Sequence, residues 1–242
     1  MKTSDSHLEL DSLPTLSGRC RDLFRCFTSR PHMTDHDKIR LLIVDDHPVV
    51  REGLRTMVQN FSSIDLVAVC ATGEEALNRV STTRIDVVLA DLRMLPVDGI
   101  ELLRSVRKQA PSTKVIVFSS YELEEDIYQA LKEGARAYIN KYASGEELLN
   151  TIHRVHSGEH VFSKRILEKF DERRTRKEIT AREFQILEMM AKGLTNREIG
   201  HALQVSEFTV KNQIKSICAK LEVSDRTEAT RVAIERGLIT ID

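Results

Sequence analysis

Three carboxylates stand at the ends of two apolar runs. Val87-Val88-Leu89-Ala90 leads into Asp91, and Arg40-Leu41-Leu42-Ile43-Val44 leads into Asp45 and Asp46. Each run reads as a buried parallel strand, and ligands of an open α/β sheet collect at the carboxyl ends of its strands. Carboxylates converging there repel one another, and a hard divalent cation with oxygen ligands, Mg2+, is the cheap remedy. Asp91 is then placed to attack phosphorus and carry an aspartyl phosphate. Ser119 ends the next apolar run and can donate a hydrogen bond to a phosphoryl oxygen. Lys141, just past a fifth run, can pair with the same group as a point charge. One such aspartate alone is ordinarily a turn residue, and one such lysine an ordinary surface lysine. The five together at neighbouring strand ends are not ordinary.

The elements that must position these groups alternate along the chain. Apolar strands are predicted at 39–44, 66–71, 85–90, 114–119 and 137–140. Amphipathic helices are predicted near 48–60, 74–81, 98–109, 124–134 and 144–157. Thr72/Glu75 and Ser144/Glu147 have the spacing of capping boxes at two of these helix starts. Strands alternating with helices make βαβ units around a parallel sheet. Five such units imply a flavodoxin-like, doubly wound five-stranded domain over residues 38–158. Residues 1–37 are polar apart from Leu23, Phe24 and Phe27, and are expected to be a disordered leader. Met33 is a second candidate start of translation.

Residues 159–176 change character and are expected to be a linker. Ser163 to Phe170 suits a short helix, and the charge-rich Asp171 to Lys177 suits a solvated tether. Beyond it no strand pattern appears. Capping boxes at Thr180/Glu183, Thr195/Glu198 and Asp225/Glu228 mark three helix starts, and Ser206 caps a fourth. Gly193 and Gly237 suit helix stops. Residues 177–242 are therefore expected to form a small all-α four-helix domain.

Within it, Thr195 to Leu203, the turn Gln204-Val205-Ser206 and the helix from Glu207 to Lys220 have helix-turn-helix architecture, whose second helix enters the major groove of DNA. Val210, Ile214, Ile217 and Leu221 make one apolar stripe. The opposite face carries Phe208, Asn212, Lys215, Ser216 and Ala219, flanked by Thr209 and Lys211. Lysine reaches guanine edges or phosphates, and asparagine pairs with adenine. Phe208 either meets a thymine methyl or folds back over the domain and linker.

Composition bounds the rest. The chain has 242 residues, 41% hydrophobic and 30% charged, which is the globular range. The net charge of −1 hides a split. Residues 38–158 hold 15 Lys and Arg against 17 Asp and Glu, whereas residues 173–242 hold 13 against 10. The second half is thus mildly basic, as a DNA partner requires. Aromatic residues are 5% and Trp is absent, which argues against single-strand binding by stacked rings. Cys20, Cys26, Cys70 and Cys218 lack zinc spacing and read as reduced thiols of a cytoplasmic protein. No run is long enough to span a membrane.

The motifs also resemble known families. Ile43-Val44-Asp45-Asp46-His47-Pro48, Asp91-Leu92-Arg93-Met94 with Asp98-Gly99, Val117-Phe118-Ser119-Ser120 and Gly134 to Lys141 resemble a bacterial response-regulator receiver domain. That resemblance implies Asp91 as phosphoacceptor from a sensor histidine kinase, with Asp45, Asp46 and the Arg93 carbonyl on Mg2+ beside Asp91. It implies Ser119 and Tyr138 as a switch pair and Lys141 on the phosphoryl group. Ser119 stands where Thr is commoner and Ala137 where Gly is commoner. Leu95 separates Met94 from Pro96, where the family usually has Pro directly after the Met94 position, so the constraint that proline places on its predecessor moves to Leu95, and the loop carrying Arg93 either absorbs this or is reshaped with weaker Mg2+ binding and slow phosphorylation.

Residues 178–242 resemble the LuxR-type domain of NarL/FixJ-type regulators, through Thr180-Ala181-Arg182-Glu183, Gly193 to Ile199, Thr209-Val210-Lys211-Asn212 and Arg226-Thr227-Glu228-Ala229. The resemblance implies Lys211, Asn212 and Lys215 near bases, Thr209 near phosphate and a homodimer through the last helix. The expected protein is a phosphorylation-regulated transcription regulator on double-stranded promoter DNA, not an enzyme beyond its own phosphorylation and dephosphorylation. The rivals are a phosphotransferase or phosphatase with an aspartyl intermediate, and an interaction protein indifferent to phosphorylation. The first lacks the paired aspartates of haloacid dehalogenases after the first strand, and would leave the helix-turn-helix idle.

Overall fold

The computed structural model describes residues 38–239. The readings made on residues 1–37, including Met33, Cys20 and Cys26, lie outside the described residues. Five parallel strands form one sheet: β1 (Ile39–Val44), β2 (Ile64–Cys70), β3 (Val87–Ala90), β4 (Lys114–Ser119) and β5 (Ala137–Asn140), in the order β2-β1-β3-β4-β5. Between and after them run α1 (Pro48–Gln59), α2 (Gly73–Thr82), α3 (Gly99–Gln109), α4 (Glu124–Lys132) and α5 (Gly145–His156). The doubly wound sheet is the one expected. Buried side chains of α1 and α5 cover one face, and those of α2, α3 and α4 cover the other. With both faces covered, β3 is buried at every residue, which is why it reads as an unbroken apolar run.

Strand β2 starts two residues before its predicted bound. Its register against β1 slips between Leu41 and Leu42, which pair with Leu66 and Ala68. The extra residue at that bulge blurs the alternation from which a strand edge is read. The strand order reverses between β1 and β3, so Asp45 and Asp91 sit at the topological switch point, where a crevice opens.

The segment expected as a tether is instead part of α6 (Lys164–Thr175). Ser163 accepts from the Ile166 N–H at its start. Ile166 is buried with the α3/α4 layer, Phe162 and Phe170 pack against that layer, and Phe170 stacks on Tyr128 at 5.6 Å between centroids. Arg173 is also buried. Its charge looked solvated because its partner, Glu125, lies 48 residues away.

Four helices follow: α7 (Ala181–Ala191), α8 (Asn196–Leu203), α9 (Glu207–Leu221) and α10 (Arg226–Glu235). Thr180 and Thr195 form reciprocal capping boxes with Glu183 and Glu198. At Asp225 the box is displaced by one residue, since Glu228 accepts from the Ser224 N–H instead. Ile186, Leu187, Ile199, Val210, Ile217 and Ala233 lie in one core, with Ile214 partly buried beside it. Among the described residues no helix is long and apolar enough to cross a membrane.

Candidate phosphoacceptor site and nucleic-acid interface

Strand pairing carries the acidic groups together. The Asp91 N–H donates to the Val44 carbonyl at 2.9 Å, so the two strand ends stay level. Asp45 and Asp91 are buried, whereas Asp46 is exposed. One ligand atom from each of Asp45, Asp46, Asp91 and His47 lies within 4.8 Å of the others. The Asp91 Oδ1 accepts from the Leu92 N–H at 2.7 Å, which turns Oδ2 toward Lys141. Lys141 Nζ stands 2.7 Å from both Asp91 Oδ2 and Asp45 Oδ2. Burial pushes this ammonium down, but the Asp91 and Asp45 carboxylates outweigh it and hold the pKa above its ordinary value. It therefore stays charged as a fixed cation between two buried anions.

His47 was not singled out as a site residue from its sequence position, although it follows the aspartate pair directly. Its Nδ1 lies 2.7 Å from Asp46 Oδ1 and 3.3 Å from Asp45 Oδ1. Its own N–H donates to Asp45 Oδ1 at 2.8 Å. The oxygen donors suit a hard dication. One of them, Asp45 Oδ2, is buried with the Lys141 ammonium at 2.7 Å and keeps a second lone pair open. A buried oxygen with an open lone pair is what such a cation would satisfy.

After Asp91 the chain runs through a short loop to Asp98. Met94 is buried while Leu95 is 83% exposed, so the residue before the proline projects into solvent, and the Leu95-Pro96 peptide is cis. Gly99 pins the far end, its N–H donating to the Leu92 carbonyl at 2.9 Å. A Cβ there would lie 2.2 Å from the Asp91 carbonyl oxygen, so this close approach needs glycine.

Ser119 is buried, and its Oγ accepts from the Tyr121 N–H at 3.2 Å. Tyr138, the other member of the implied switch pair, is also buried, at 5% exposed. Its hydroxyl donates to the Tyr121 carbonyl at 2.6 Å. Burial pushes that phenol pKa up, and the nearby Asp126 carboxylate adds to the rise. The Arg93 guanidinium stacks 4.8 Å from the Tyr121 ring centroid and meets Asp126 of α4 at 3.3 Å.

In the C-terminal half, α9 presents Glu207, Phe208, Thr209, Lys211, Asn212, Lys215 and Ala219 to solvent, while Val210 and Ile217 face the core. Phe208 is 72% exposed, so it does not fold back over the domain or linker. Ser216 departs from the outward face. It is half-buried and donates to Glu183 Oε1 at 2.8 Å. Lys220 Nζ reaches Glu183 Oε2 at 2.5 Å. Burial pushes the Glu183 pKa up, but Lys220, Thr180 and Ser216 overcome it and bring it to about 2. A charged knot thus ties α9 to the start of α7.

Two family models match. Residues 41–153 match the response regulator receiver domain, and residues 177–233 match the luxR family of bacterial regulatory proteins. An uncharacterized transcriptional regulatory protein, YhcZ of Bacillus subtilis (strain 168), is 39% identical over 209 residues, covering 83% of this chain and 97% of its own. The chain is a response regulator. The response regulator VraR of Staphylococcus aureus (strain N315) is 34% identical over 206 residues, 83% of this chain and 99% of its own. Among solved structures, the response regulator ChrA of a heme-sensing two-component system is 34% identical with a TM-score of 0.50, covering 84% of this chain and 100% of its own. RcsB of Salmonella typhimurium shares the fold, with a TM-score of 0.61 at 21% identity over 80% of this chain and 98% of its own.

In this response regulator the start of α4 meets α6 and the end of α10. Arg173 Nε lies 2.5 Å from Glu125 Oε2, and its guanidinium stacks 4.6 Å from the Tyr128 ring centroid. Arg176 pairs with Glu124, and the Arg236 guanidinium lies 4.0 Å from Glu124. The Glu125 N–H donates to the Arg236 carbonyl at 3.0 Å. Gly237, at φ 77°, leaves room for Leu123, whose Cβ would lie 2.8 Å from a Cβ added there. The contact holds the end of α10 and leaves the outward face of α9 open.

Proposed function

We propose that Asp91 is the phosphoacceptor of a two-component system and that the helix-turn-helix binds promoter DNA in response. The observation that carries this reading is Lys141, held within 2.7 Å of both Asp91 and Asp45 at the sheet's switch point. Asp91 Oδ2 attacks the phosphorus of a kinase phosphohistidine. The P–O bond forms as the P–N bond breaks, its electron pair returns to the ring nitrogen, and the histidine leaves as neutral imidazole bearing the proton already on its other ring nitrogen. Lys141 stays charged throughout and pairs with the incoming phosphoryl oxygens. Asp45, Asp46, Asp91 and the Arg93 carbonyl would hold Mg2+. That ion would supply charge neutralisation at the phosphoryl oxygens. The chain catalyses only its own phosphorylation and dephosphorylation, and works in the cytoplasm, where both kinase output and DNA are found.

The added phosphate brings about −1.5 to −2 charge. It draws the Ser119 hydroxyl inward and breaks its bond to the Tyr121 N–H. Tyr121 supports Tyr138 and Arg93, and Arg93 holds Asp126 of α4. The disturbance therefore reaches Glu124 and Glu125, which clasp Arg173, Arg176 and Arg236. Release of that clasp frees α10 for pairing with a second copy. Two copies on paired half-sites bind far more tightly than one. Phe208, Thr209, Lys211, Asn212 and Lys215 then enter the major groove.

The test is intact-protein mass after treatment with acetyl phosphate and magnesium. One acid-labile phosphoryl group is expected on the wild type and none on Asp91→Asn. No addition to the wild type, or addition to the variant, would overturn the assignment. Continued turnover of phosphate esters would favour the phosphotransferase reading. DNA affinity indifferent to the phosphodonor would favour the interaction protein.

A further inference from the structure

Phe208 is a large apolar side chain on a face otherwise made for water and phosphate. At 100° per residue it lies within about 40° of Asn212 and Lys215, opposite the buried Val210 stripe. It is 72% exposed, and among the described residues no ring packs against it. Single exposed apolar residues are common on protein surfaces. This one occupies the second residue of the helix, and the first turn of a recognition helix is where base edges are touched. The polar groups at that tip are engaged with each other. Ser206 Oγ accepts from the Thr209 N–H at 3.0 Å and shares a 2.8 Å hydrogen bond with the Thr209 hydroxyl. The long side chains left to project from the first turn are Glu207 and Phe208. Glu207 would be repelled by phosphate, which favours the middle of the groove over its walls. Phe208 beside it has no hydrogen bond to offer, and the apolar group on the major-groove floor is the thymine C5-methyl.

We infer that Phe208 is a specificity-determining residue that selects a thymine in each half-site by apolar contact with its methyl group. The inference rests on the proposed DNA-binding role of α9 and adds the base class read at its tip. Lys211 and Lys215 reach guanine edges or phosphates, and Asn212 pairs with adenine. The phenyl ring adds a preference that needs no charge or hydrogen bond. Burying one methyl amounts to about a four-fold change in affinity, from about 0.8 kcal/mol per buried carbon.

The experiment is selection from random duplexes with the full chain, phosphodonor and magnesium, followed by replacement of each selected thymine by uracil, which differs only in lacking the methyl. For the wild type, one thymine per half-site is expected to lose about four-fold on replacement. Phe208→Ala is expected to bind thymine and uracil duplexes equally, while Phe208→Leu, still apolar, retains part of the difference. Indifference of the wild type to every replacement would overturn the inference, as would an undiminished thymine preference in Phe208→Ala. If the wild type enriches no sequence, the DNA-binding reading itself fails, and this inference with it.

Discussion

Replacing Glu183 by Gln tests whether the knot under the reading helix is electrostatic. Glu183 is 3% exposed, accepts from Ser216 and Lys220 of α9, and takes the reciprocal capping bond of Thr180. Its pKa falls from 4.5 to about 2 on folding. At about 1.4 kcal/mol per unit, the charged form stabilises the fold by about 3 kcal/mol at neutral pH. A depressed carboxylate contributes fully above its unfolded pKa and loses that contribution as pH falls through its folded one. The contribution is therefore about 3 kcal/mol at pH 7, about 1.5 kcal/mol at pH 3, and nearly gone below pH 2. Glu183→Gln keeps the shape and one acceptor but leaves Lys220 without its counter-charge, and is expected to remove most of it. Hydrogen exchange of α7 and α9 peptides in the full chain measures the local opening free energy directly. The gap between wild type and variant should narrow from pH 7 toward pH 3. A gap that stays constant over that range would show that shape, not charge, holds the two helices, and would refute the argument.

Gly99→Ala drives a Cβ toward the Asp91 carbonyl oxygen, and should destabilise the receiver by about 1–3 kcal/mol or more, read by thermal unfolding. Arg173→Met removes a buried cation from Glu125 and Tyr128. It should raise hydrogen exchange across residues 164–175 and increase DNA affinity of the unphosphorylated chain. Unchanged exchange there would dissolve the proposed clasp. Removing Lys211 and Lys215 together should lower the slope of log affinity against log salt by about 1 to 2 if both meet phosphates. An unaltered slope would place these side chains away from the backbone.

What the sequence determined by itself is local. The five strands, the helix starts and the apolar stripe of α9 are encoded within a few residues, because pleat alternation, capping and helical period act at that range. Asp45, Asp46, Asp91, Ser119 and Lys141 were legible because each ends a strand of one parallel sheet, and parallel strands bring their carboxyl ends to one rim. The β2 start escaped because a bulge broke its alternation. What only tertiary structure decided are pairings between distant segments. Lys141 is shared by two aspartates, Arg93 joins the phosphoacceptor loop to α4, and Arg173 turns a charged tether into a buried strut. Ser216 turns inward to Glu183, while Phe208 stays outside. No local rule foretells such choices, because a charged or aromatic side chain is stable either in water or against the right partner. Packing alone brings a partner from 33 or 48 residues away.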